Sequence, residues 1–281
     1  MPEPPRQSLA TGFRNVDTSG DTDACHRCLD LIAGIPFFRD IKVESFRIIA
    51  ETRPSLLLDA GCGVGTDLLS LASTLTADSR IVGLDASEAL LARAAERIRD
   101  SSGRCSLIRG DTTRIPCRDN SFDACRIDRV LQHIREPETV IRELVRVTKP
   151  GGIIVAFDND WDTITISLDN EEIEARIRQA WLGCFASGQV GKDLAAIFKA
   201  CGLTEIHAEP RTLELRDLAV AQQVFDLRDL MERMVKNGAL APPEAAAVWE
   251  ELLRKSRKGT FSSGYTGYLV WGTKPAPPTH R

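Results

Sequence analysis

A glycine-rich segment follows a short apolar run in the first third of the chain. Residues 56–67 read LLLDAGCGVGTD, with glycine at Gly61, Gly63 and Gly65. Glycine has no Cβ atom and adopts positive φ at little cost, so a ligand can lie directly against the backbone of such a loop. The third glycine comes one residue earlier than in the G-x-G-x-x-G pattern of dinucleotide-binding proteins, and Thr66 stands in its place. The segment predicts a ligand-binding loop between a strand and a helix, and its spacing disfavours a nicotinamide dinucleotide.

Further carboxylates stand directly after the next two apolar runs. Asp85 closes the run IVGLD, and the tripeptide Gly110-Asp111-Thr112 follows a third run at 105–108. In open α/β sheets ligands bind outside the carboxyl ends of the strands, near the point where the strand order reverses. Both carboxylates are candidate binding residues. The alternative for each is a turn carboxylate that caps the next helix.

The pattern D-x-G-x-G-x-G after an apolar strand resembles motif I of the class I S-adenosylmethionine-dependent methyltransferases. Asp85 and Asp111 stand at the distances this family has, and Asn120 to Asp123 (NSFD) and Lys149 to Gly152 (KPGG) introduce strands four and five in a familiar way. The resemblance is close over 56–157. Over the rest of the chain a weaker resemblance is to the small-molecule type, similar to the ubiquinone/menaquinone and natural-product tailoring methyltransferases.

The resemblance implies S-adenosylmethionine as the cofactor. It implies that Asp85 accepts both ribose hydroxyls and Asp111 the adenine amino group, while Asp59 either holds the loop or lies near the methionine portion. Arg129 would contact the cofactor through its backbone or hold a nearby carboxylate, and a surface ion pair is the alternative. The predicted cofactor-binding residues are those of the loop, the two carboxylates and their neighbours: Asp59, Ala60, Gly61, Gly63, Gly65, Asp85, Ala86, Leu90, Gly110, Asp111, Thr112 and Arg129.

The acceptor is expected at the ends of strands four and five, which read DRVLQH and FDNDW. Related small-molecule enzymes resemble this chain in having a histidine after strand four and an aspartate after strand five. We therefore predict His133 and Asp158 as catalytic residues, since the ordinary pKa of histidine, about 6.5, suits a base near neutral pH. The alternative is that both are structural. Asp160 and Trp161 are predicted to contact the acceptor.

Methyl transfer from a sulfonium needs alignment more than acid–base chemistry, because the leaving group is neutral. Orientation of the reactants alone can supply ~7 to 11 kcal/mol of the barrier. The acceptor atom, whether oxygen, nitrogen or carbon, and the need for a base are left open. Also open is a non-methylation reaction on the same cofactor, such as a cyclisation, or a role as a partner subunit.

Alternating apolar runs and helical segments predict the elements that position these residues. We expect an α/β fold, namely a Rossmann-like, seven-stranded, mostly parallel sheet with helices on both faces. Helices are predicted over 21–33, 43–52, 218–236 and 242–257, and strands include 152–157 and 204–215. One methyltransferase domain is expected over 21–273, with leading helices over 21–53 and the cofactor-binding core over 54–160. A helical lid or substrate lobe is expected from 161–190 and 216–260. Residues 1–20 and 274–281 are expected to be flexible.

Composition limits the partners. The net charge is −4 and no dense Lys/Arg block occurs, so no nucleic-acid partner is expected. Amino-group methylators of DNA usually carry an Asn/Asp-Pro-Pro-aromatic turn after strand four, and this chain has none.

No apolar run reaches the ~20 residues of a membrane span, and the start lacks a secretion signal, so we expect a cytoplasmic protein. We expect it to be a monomer or a homodimer. Cys25 and Cys28 form the only CxxC, too few ligands for zinc. Trp181, Trp249 and Trp271 are expected in the core.

Overall fold

The computed structural model describes Asp17 and residues 34–101 and 103–276. The predicted helix over 21–33, with the Cys25–Cys28 pair, lies outside the described residues. So do residues 1–16, 18–20 and 277–281 of the segments predicted to be flexible. Lys274, which the sequence analysis placed in the tail, donates hydrogen bonds from Nζ to Asn120 Oδ1 at 2.7 Å and to two backbone carbonyls.

Seven strands and nine α-helices are present in the described residues. The strands are β1 (Leu56–Ala60), β2 (Arg80–Asp85), β3 (Cys105–Arg109), β4 (Phe122–Asp128), β5 (Thr148–Ile166), β6 (Thr204–Leu215) and β7 (Ser263–Thr273). The helices are α1 (Pro36–Glu51), α2 (Thr66–Thr74), α3 (Glu88–Arg97), α4 (Pro137–Val147), α5 (Glu171–Leu182), α6 (Val190–Ala200), α7 (Leu218–Phe225), α8 (Leu227–Lys236) and α9 (Pro242–Arg257).

All seven strands form one sheet in the order β3-β2-β1-β4-β5-β7-β6. The pairs from β3 to β5 are parallel, whereas β7 runs antiparallel to both β5 and β6. The prediction of a mostly parallel, seven-stranded α/β sheet is confirmed. The strand order reverses between β1 and β4, and at such a switch point the loops at the strand ends diverge and leave a crevice for a ligand.

Buried apolar residues fill both faces of the sheet, since parallel strands covered by helices on two sides carry no solvent-facing side. Leu57 and Leu58 on adjacent positions of β1 are both fully buried, and they belong to the cores on opposite faces. A third core lies under the end of β5 and the helices α5 and α7–α9. This third core defines what we call the lobe, formed by residues 161–185 and 213–265.

Two predicted elements differ from the structure. The predicted fifth strand ends at Phe157, but β5 has 19 residues and continues into the lobe as far as Ile166. The single helix expected over 218–236 is broken at Asp226, whose φ is 46°. Phe225 and Leu227 are both buried. On one continuous helix they would point in nearly opposite directions, so a break is needed to bury both against the same core.

Candidate functional site

The glycine loop between β1 and α2 is held by its neighbours in a shape that only glycine allows at its first position. Gly61 has a φ of 76°, and a Cβ atom there would lie 2.2 Å from Cγ2 of Val130. The N–H groups of Gly61 and Cys62 donate to the carbonyl oxygen of Leu84 at 2.7 and 3.0 Å. The loop is thus fixed between the ends of β2 and β4, with its backbone bordering the crevice.

Asp85 at the end of β2 connects this loop to the next helix. Its Oδ2 accepts a hydrogen bond from Gly63 N at 2.8 Å, and its Oδ1 accepts from Ser87 N at 2.9 Å. Burial raises the pKa of Asp85, and the backbone N–H groups of Ser87, Gly63 and Ala86 oppose that rise. An ionised carboxylate has about four acceptor positions, so Asp85 can also accept from a ligand. The N-cap of α3 is Ser87, so Asp85 does not fill the capping role that was its alternative.

Two further residues border the same end of the site. Asp111 is exposed and accepts from Thr113 N and Oγ1 at 2.7 and 2.8 Å, which forms a turn, and Gly110 N donates to the carbonyl of Asp85. Asp17, which the sequence analysis did not consider, accepts a hydrogen bond from Glu88 N at 3.0 Å at the start of α3. The structure therefore brings the loop, Asp85 and the Gly110–Thr112 segment together. Leu90 is buried and Ala86 is exposed beside them.

A buried ionic network lies at the switch point, beside the glycine loop. Arg126, in the middle of β4, contacts three carboxylates: Asp59 at 2.9 Å, Asp67 at 3.0 Å and Asp128 at 2.6 Å. These belong to the end of β1, the first turn of α2 and the end of β4. The guanidinium also donates to Ser45 Oγ on α1 at 3.2 Å. Arg126 thus joins the four elements that surround the loop.

Two more cations complete the network and balance its charge. Lys42 on α1 pairs with Asp67 at 2.7 Å, and Arg129 pairs with Asp128 at 2.9 Å. Burial alone would raise the pKa of Asp128, but Arg129 and Arg126 outweigh it and hold that pKa at about 2. Burial raises the pKa of Asp59 to about 6 even though Arg126 opposes the rise. Asp59 is the least compensated of these carboxylates, so a cationic ligand group would stabilise its charged form.

The structure decides between the alternatives for Arg129. Its side chain is only 14% exposed and lies over the ring of Phe38, with the guanidinium carbon 4.8 Å from the ring centroid. The alternative that Arg129 forms an ordinary surface ion pair is therefore wrong. Arg129 has a φ of 55°, and its N–H donates to the carbonyl of Phe157 at 2.8 Å. The residue holds Asp128 and ties the end of β4 to β5.

Gln132, which follows β4, connects the end of that strand to the middle of β5, at the other side of the network. Its N–H donates to Asp158 Oδ2 at 3.2 Å, and its Oε1 accepts from Asn159 Nδ2 at 3.1 Å and from Trp161 Nε1 at 2.8 Å. Burial raises the pKa of Asp158 to about 7, while its two backbone donors lower it. His133 follows, with Nε2 3.2 Å from Gln132 Nε2 and its ring 5.8 Å from that of Phe185. His133 and Asp158 are thus both connected to Gln132.

The two residues predicted to contact the acceptor point to different places. Asp160 is buried, with Lys192 of α6 at 4.0 Å, and burial raises its pKa. Trp161 instead enters the lobe core. The β5–β7 register shifts between Asp160 and Thr165, so that residues 161–164 bulge from the sheet opposite a single β7 residue, Tyr265. Bulges of this kind re-aim side chains and are common beside active sites.

An aromatic cluster surrounds Trp161 in the lobe. Its ring stacks on Phe185 at 5.0 Å between centroids and lies 4.3 Å from Tyr265 and 5.5 Å from Trp181. Phe225 closes the group, 6.0 Å from Trp181 and 6.1 Å from Tyr265. Trp181 is in the core, as expected, but it belongs to this aromatic cluster and not to the sheet. We refer to these five residues as the aromatic cluster.

Sequence reasoning missed Arg126, Gln132 and Tyr265. An arginine inside the apolar run FDACRID of β4 is a signal, since a buried arginine requires carboxylate partners. Gln132 and Tyr265 gave no such signal, because their partners are distant in sequence. No group of three or more His, Cys, Asp or Glu residues in the described part of the chain could hold a metal ion. None of the described helices is long and apolar enough to cross a membrane.

Comparison with known proteins agrees with this geometry. A family model described as a methyltransferase domain matches residues 58–156. An uncharacterized 37.1 kDa protein of transposon TN4556 from Streptomyces fradiae is 34% identical over 76% of this chain, and the match spans only 61% of that protein's length. The demethylmenaquinone methyltransferase of Desulfitobacterium hafniense is 32% identical over 55% of this chain and 68% of its own.

A solved structure shows the same fold. Phosphoethanolamine N-methyltransferase 2 of Haemonchus contortus, in complex with phosphomonomethylethanolamine and S-adenosylhomocysteine, superposes with a TM-score of 0.58 at 17% identity. The superposition covers 97% of this chain and 61% of the other. The glycine loop, the carboxylates at the strand ends and the menaquinone-pathway relative agree with the resemblance found in the sequence. The chain belongs to the class I S-adenosylmethionine-dependent methyltransferases and uses S-adenosylmethionine as its cofactor.

Proposed function

We propose that this methyltransferase acts on an oxygen, nitrogen or carbon atom of a small-molecule acceptor, in secondary metabolism or in a quinone-like biosynthesis. The observation that carries the proposal is the junction at Gln132, where the ends of β4 and β5 meet the aromatic cluster of the lobe. An acceptor between them would be enclosed by apolar rings, as small-molecule sites usually are. Relatives named demethylmenaquinone methyltransferase support the quinone-like option.

The cofactor contacts follow from the two ends of the crevice. We assign Asp85 to the ribose hydroxyls, because its oxygens are oriented by backbone N–H groups and can also accept from a ligand. We assign Asp111 to the adenine amino group, as the family resemblance implies. Asp59 and the surrounding ionic network border the amino-acid end, where a ligand ammonium would add a partner for Asp59. Gly61 lets the cofactor approach the backbone at the centre of the crevice.

When bound, the cofactor would supply a sulfonium methyl group that a nucleophile can attack, with the neutral thioether of S-adenosylhomocysteine as the leaving group. The protein's share is to align the acceptor with that methyl group and to exclude water. We assign both tasks to the lobe, because β5 continues from the sheet into it. We assign His133, with Asp158, to the acceptor side, since Gln132 connects both to the junction and neither belongs to the ionic network.

The experiment measures the transfer of a labelled methyl group from the cofactor to candidate quinols, phenols and amines. It compares the wild-type protein with a His133→Ala variant. A positioned base contributes ~10² to 10⁴ in rate. His133→Ala should therefore lower turnover by at least roughly tenfold while S-adenosylhomocysteine affinity changes by no more than a few fold. Full turnover in the folded variant would remove His133 from the mechanism and leave alignment as the source of catalysis. A parallel loss of thermal stability and cofactor affinity would make it structural.

A further inference from the structure

Tyr265 combines features that a structural core residue rarely has. Its side chain is 2% exposed, yet its hydroxyl has no hydrogen-bond partner among the residues that the structure describes. A buried polar group without a partner costs about 1 to 3 kcal/mol. A phenylalanine would fill the same volume without that cost. The hydroxyl is therefore expected to have a partner that is absent when the protein is alone.

The position of Tyr265 indicates where that partner lies. The residue stands on β7 opposite the four-residue bulge of β5, and its ring packs 4.3 Å from Trp161. Burial raises the pKa of its hydroxyl, and the charges of Arg129, Asp158 and Asp128 also affect that pKa. Tyr265 thus has the aromatic cluster on one side and, on the other, the strand ends that border the cofactor crevice. A methyl group must pass from cofactor to acceptor between these two regions.

A second unpartnered donor belongs to the same cluster. The Nε1–H of Trp181 is buried and, in the described part of the chain, has no hydrogen-bond partner. The indole group donates only, so its partner must be an acceptor atom. By contrast, Trp161 Nε1 already donates to Gln132. Burial raises the pKa of Tyr265, so its hydroxyl stays protonated and is also available as a donor.

We propose that Tyr265 and Trp181 are the polar contacts of an acceptor-binding site within the aromatic cluster, and that the acceptor is a flat, apolar molecule carrying at least one oxygen substituent. The rings of Trp161, Phe185 and Phe225 supply the apolar contacts. An oxygen on the ligand accepts hydrogen bonds from the phenol or the indole and removes the cost of leaving them unpaired. A purely aliphatic ligand would leave both donors unpaired. This inference rests on the proposed small-molecule function and names its substrate class.

The test uses 2-naphthol and 2-methylnaphthalene as probes, which differ in one polar group. Binding is measured by equilibrium dialysis with S-adenosylhomocysteine at saturation, in the wild-type protein and in Tyr265→Phe. The wild type should prefer 2-naphthol by roughly five- to tenfold, and the variant should lose that preference while binding 2-methylnaphthalene unchanged. Its melting temperature should stay equal or rise, because the buried unpartnered hydroxyl is gone.

Ser263→Ala is the matched control. Ser263 lies on the same strand, and its buried hydroxyl is likewise without a partner in the residues described. This control should keep the naphthol preference. A lower melting temperature in Tyr265→Phe with the preference intact would make the tyrosine structural and overturn the inference. So would wild-type protein that binds neither probe, or both equally, while it binds S-adenosylhomocysteine. Failure to bind S-adenosylhomocysteine itself would instead count against the proposed function.

Discussion

Asp85 and Arg126 lie at opposite ends of the cofactor crevice, so their effects can be separated with two ligands. S-adenosylhomocysteine has both the nucleoside and the amino-acid group, whereas 5′-methylthioadenosine lacks the amino-acid group. We assign Asp85, which Gly63 and Ser87 orient through their N–H groups, to the nucleoside end. Arg126 is a positioning residue that acts on the amino-acid end through Asp59 and Asp128.

Asp85→Ala should weaken both ligands by roughly tenfold or more, since a buried acceptor of two hydroxyls is lost. Arg126→Met should weaken S-adenosylhomocysteine strongly and 5′-methylthioadenosine little, because only the former depends on the arrangement of the network. Calorimetry on folded variants measures both affinities, with Asp78→Ala, an exposed carboxylate on a turn, as the control. Equal weakening of the two ligands by Arg126→Met would make the network a structural element only, and Arg126→Lys should restore part of the selectivity.

Asp158 provides a prediction about pH. Its folded-state pKa is about 7, whereas an unfolded aspartate has a pKa of about 3.9. Between these values the folded state binds more protons than the unfolded state, so the free energy of unfolding falls as the pH rises from about 4 to about 7. Asp158→Asn cannot ionise and lacks this decrease. The stability of the wild type relative to the variant should therefore drop by at least roughly 1 kcal/mol between pH 5 and pH 8.

Urea unfolding at the two pH values measures that difference. The pKa of Asp59 is also raised, but Asp59 is present in both proteins, so its contribution to the pH dependence of stability cancels from the comparison. A fixed offset between the proteins reflects the changed hydrogen bonds to Gln132 and Asn159, which are independent of pH. A difference that stays constant from pH 5 to pH 8 would mean that Asp158 is already ionised at pH 5. Burial would then raise the pKa of Asp158 too little for this residue to transfer protons near neutral pH.

At the scale of the elements, the lobe is the part we expect to respond to ligands. It has its own core, and α7 and α8 meet at Asp226, a non-glycine residue in the left-handed region. We propose that α5, α7 and α8 close over the acceptor. Hydrogen exchange in these helices should slow when S-adenosylhomocysteine and an acceptor bind together. Slowing confined to the sheet and the glycine loop would contradict a closing lobe, while α4, on the sheet and away from the lobe, serves as the internal reference.

At the scale of the whole molecule, one close contact links the helical layer to the chemistry. Gly191 near the start of α6 lies against the backbone of β5, and a Cβ atom there would be 2.6 Å from the carbonyl oxygen of Asp158. Gly191→Ala should push α6 from the strand, costing about 1 to 3 kcal/mol and lowering turnover as well, since the carboxyl end of β5 must move. At Gly183 a Cβ atom would be 3.4 Å from its nearest neighbour.

Gly183→Ala is therefore the control, and it should change the free energy of unfolding by less than about 0.5 kcal/mol. Chemical unfolding and methyl-transfer rates are measured on both variants. Wild-type stability in Gly191→Ala would mean that the α6–β5 contact relaxes without cost. Normal turnover combined with lower stability would show that the position of β5 tolerates displacement, and that the junction at Gln132 is held by its own hydrogen bonds.

The sequence by itself determined the sheet and the glycine loop, and its resemblance to a known family indicated the class of cofactor. These depend on local patterns: an apolar run long enough for a strand, glycines at alternate positions, and carboxylates at or just after a strand end. The structure confirmed the predicted strand–loop–helix order because parallel strands bring their carboxyl ends to one edge whatever the details of packing. The exact limits of β6 and α9 also agree with the sequence pattern.

Only the tertiary structure decided how the acceptor side is built. Arg126 meets its carboxylates, Gln132 meets Trp161, and Tyr265 faces the bulge of β5 through contacts between residues far apart in the chain. Such contacts leave no periodicity in the sequence, since each depends on strand register and on where an element bends. The long β5 and the break at Asp226 have the same origin: burial in the lobe core outweighed the local preference to end a strand or continue a helix.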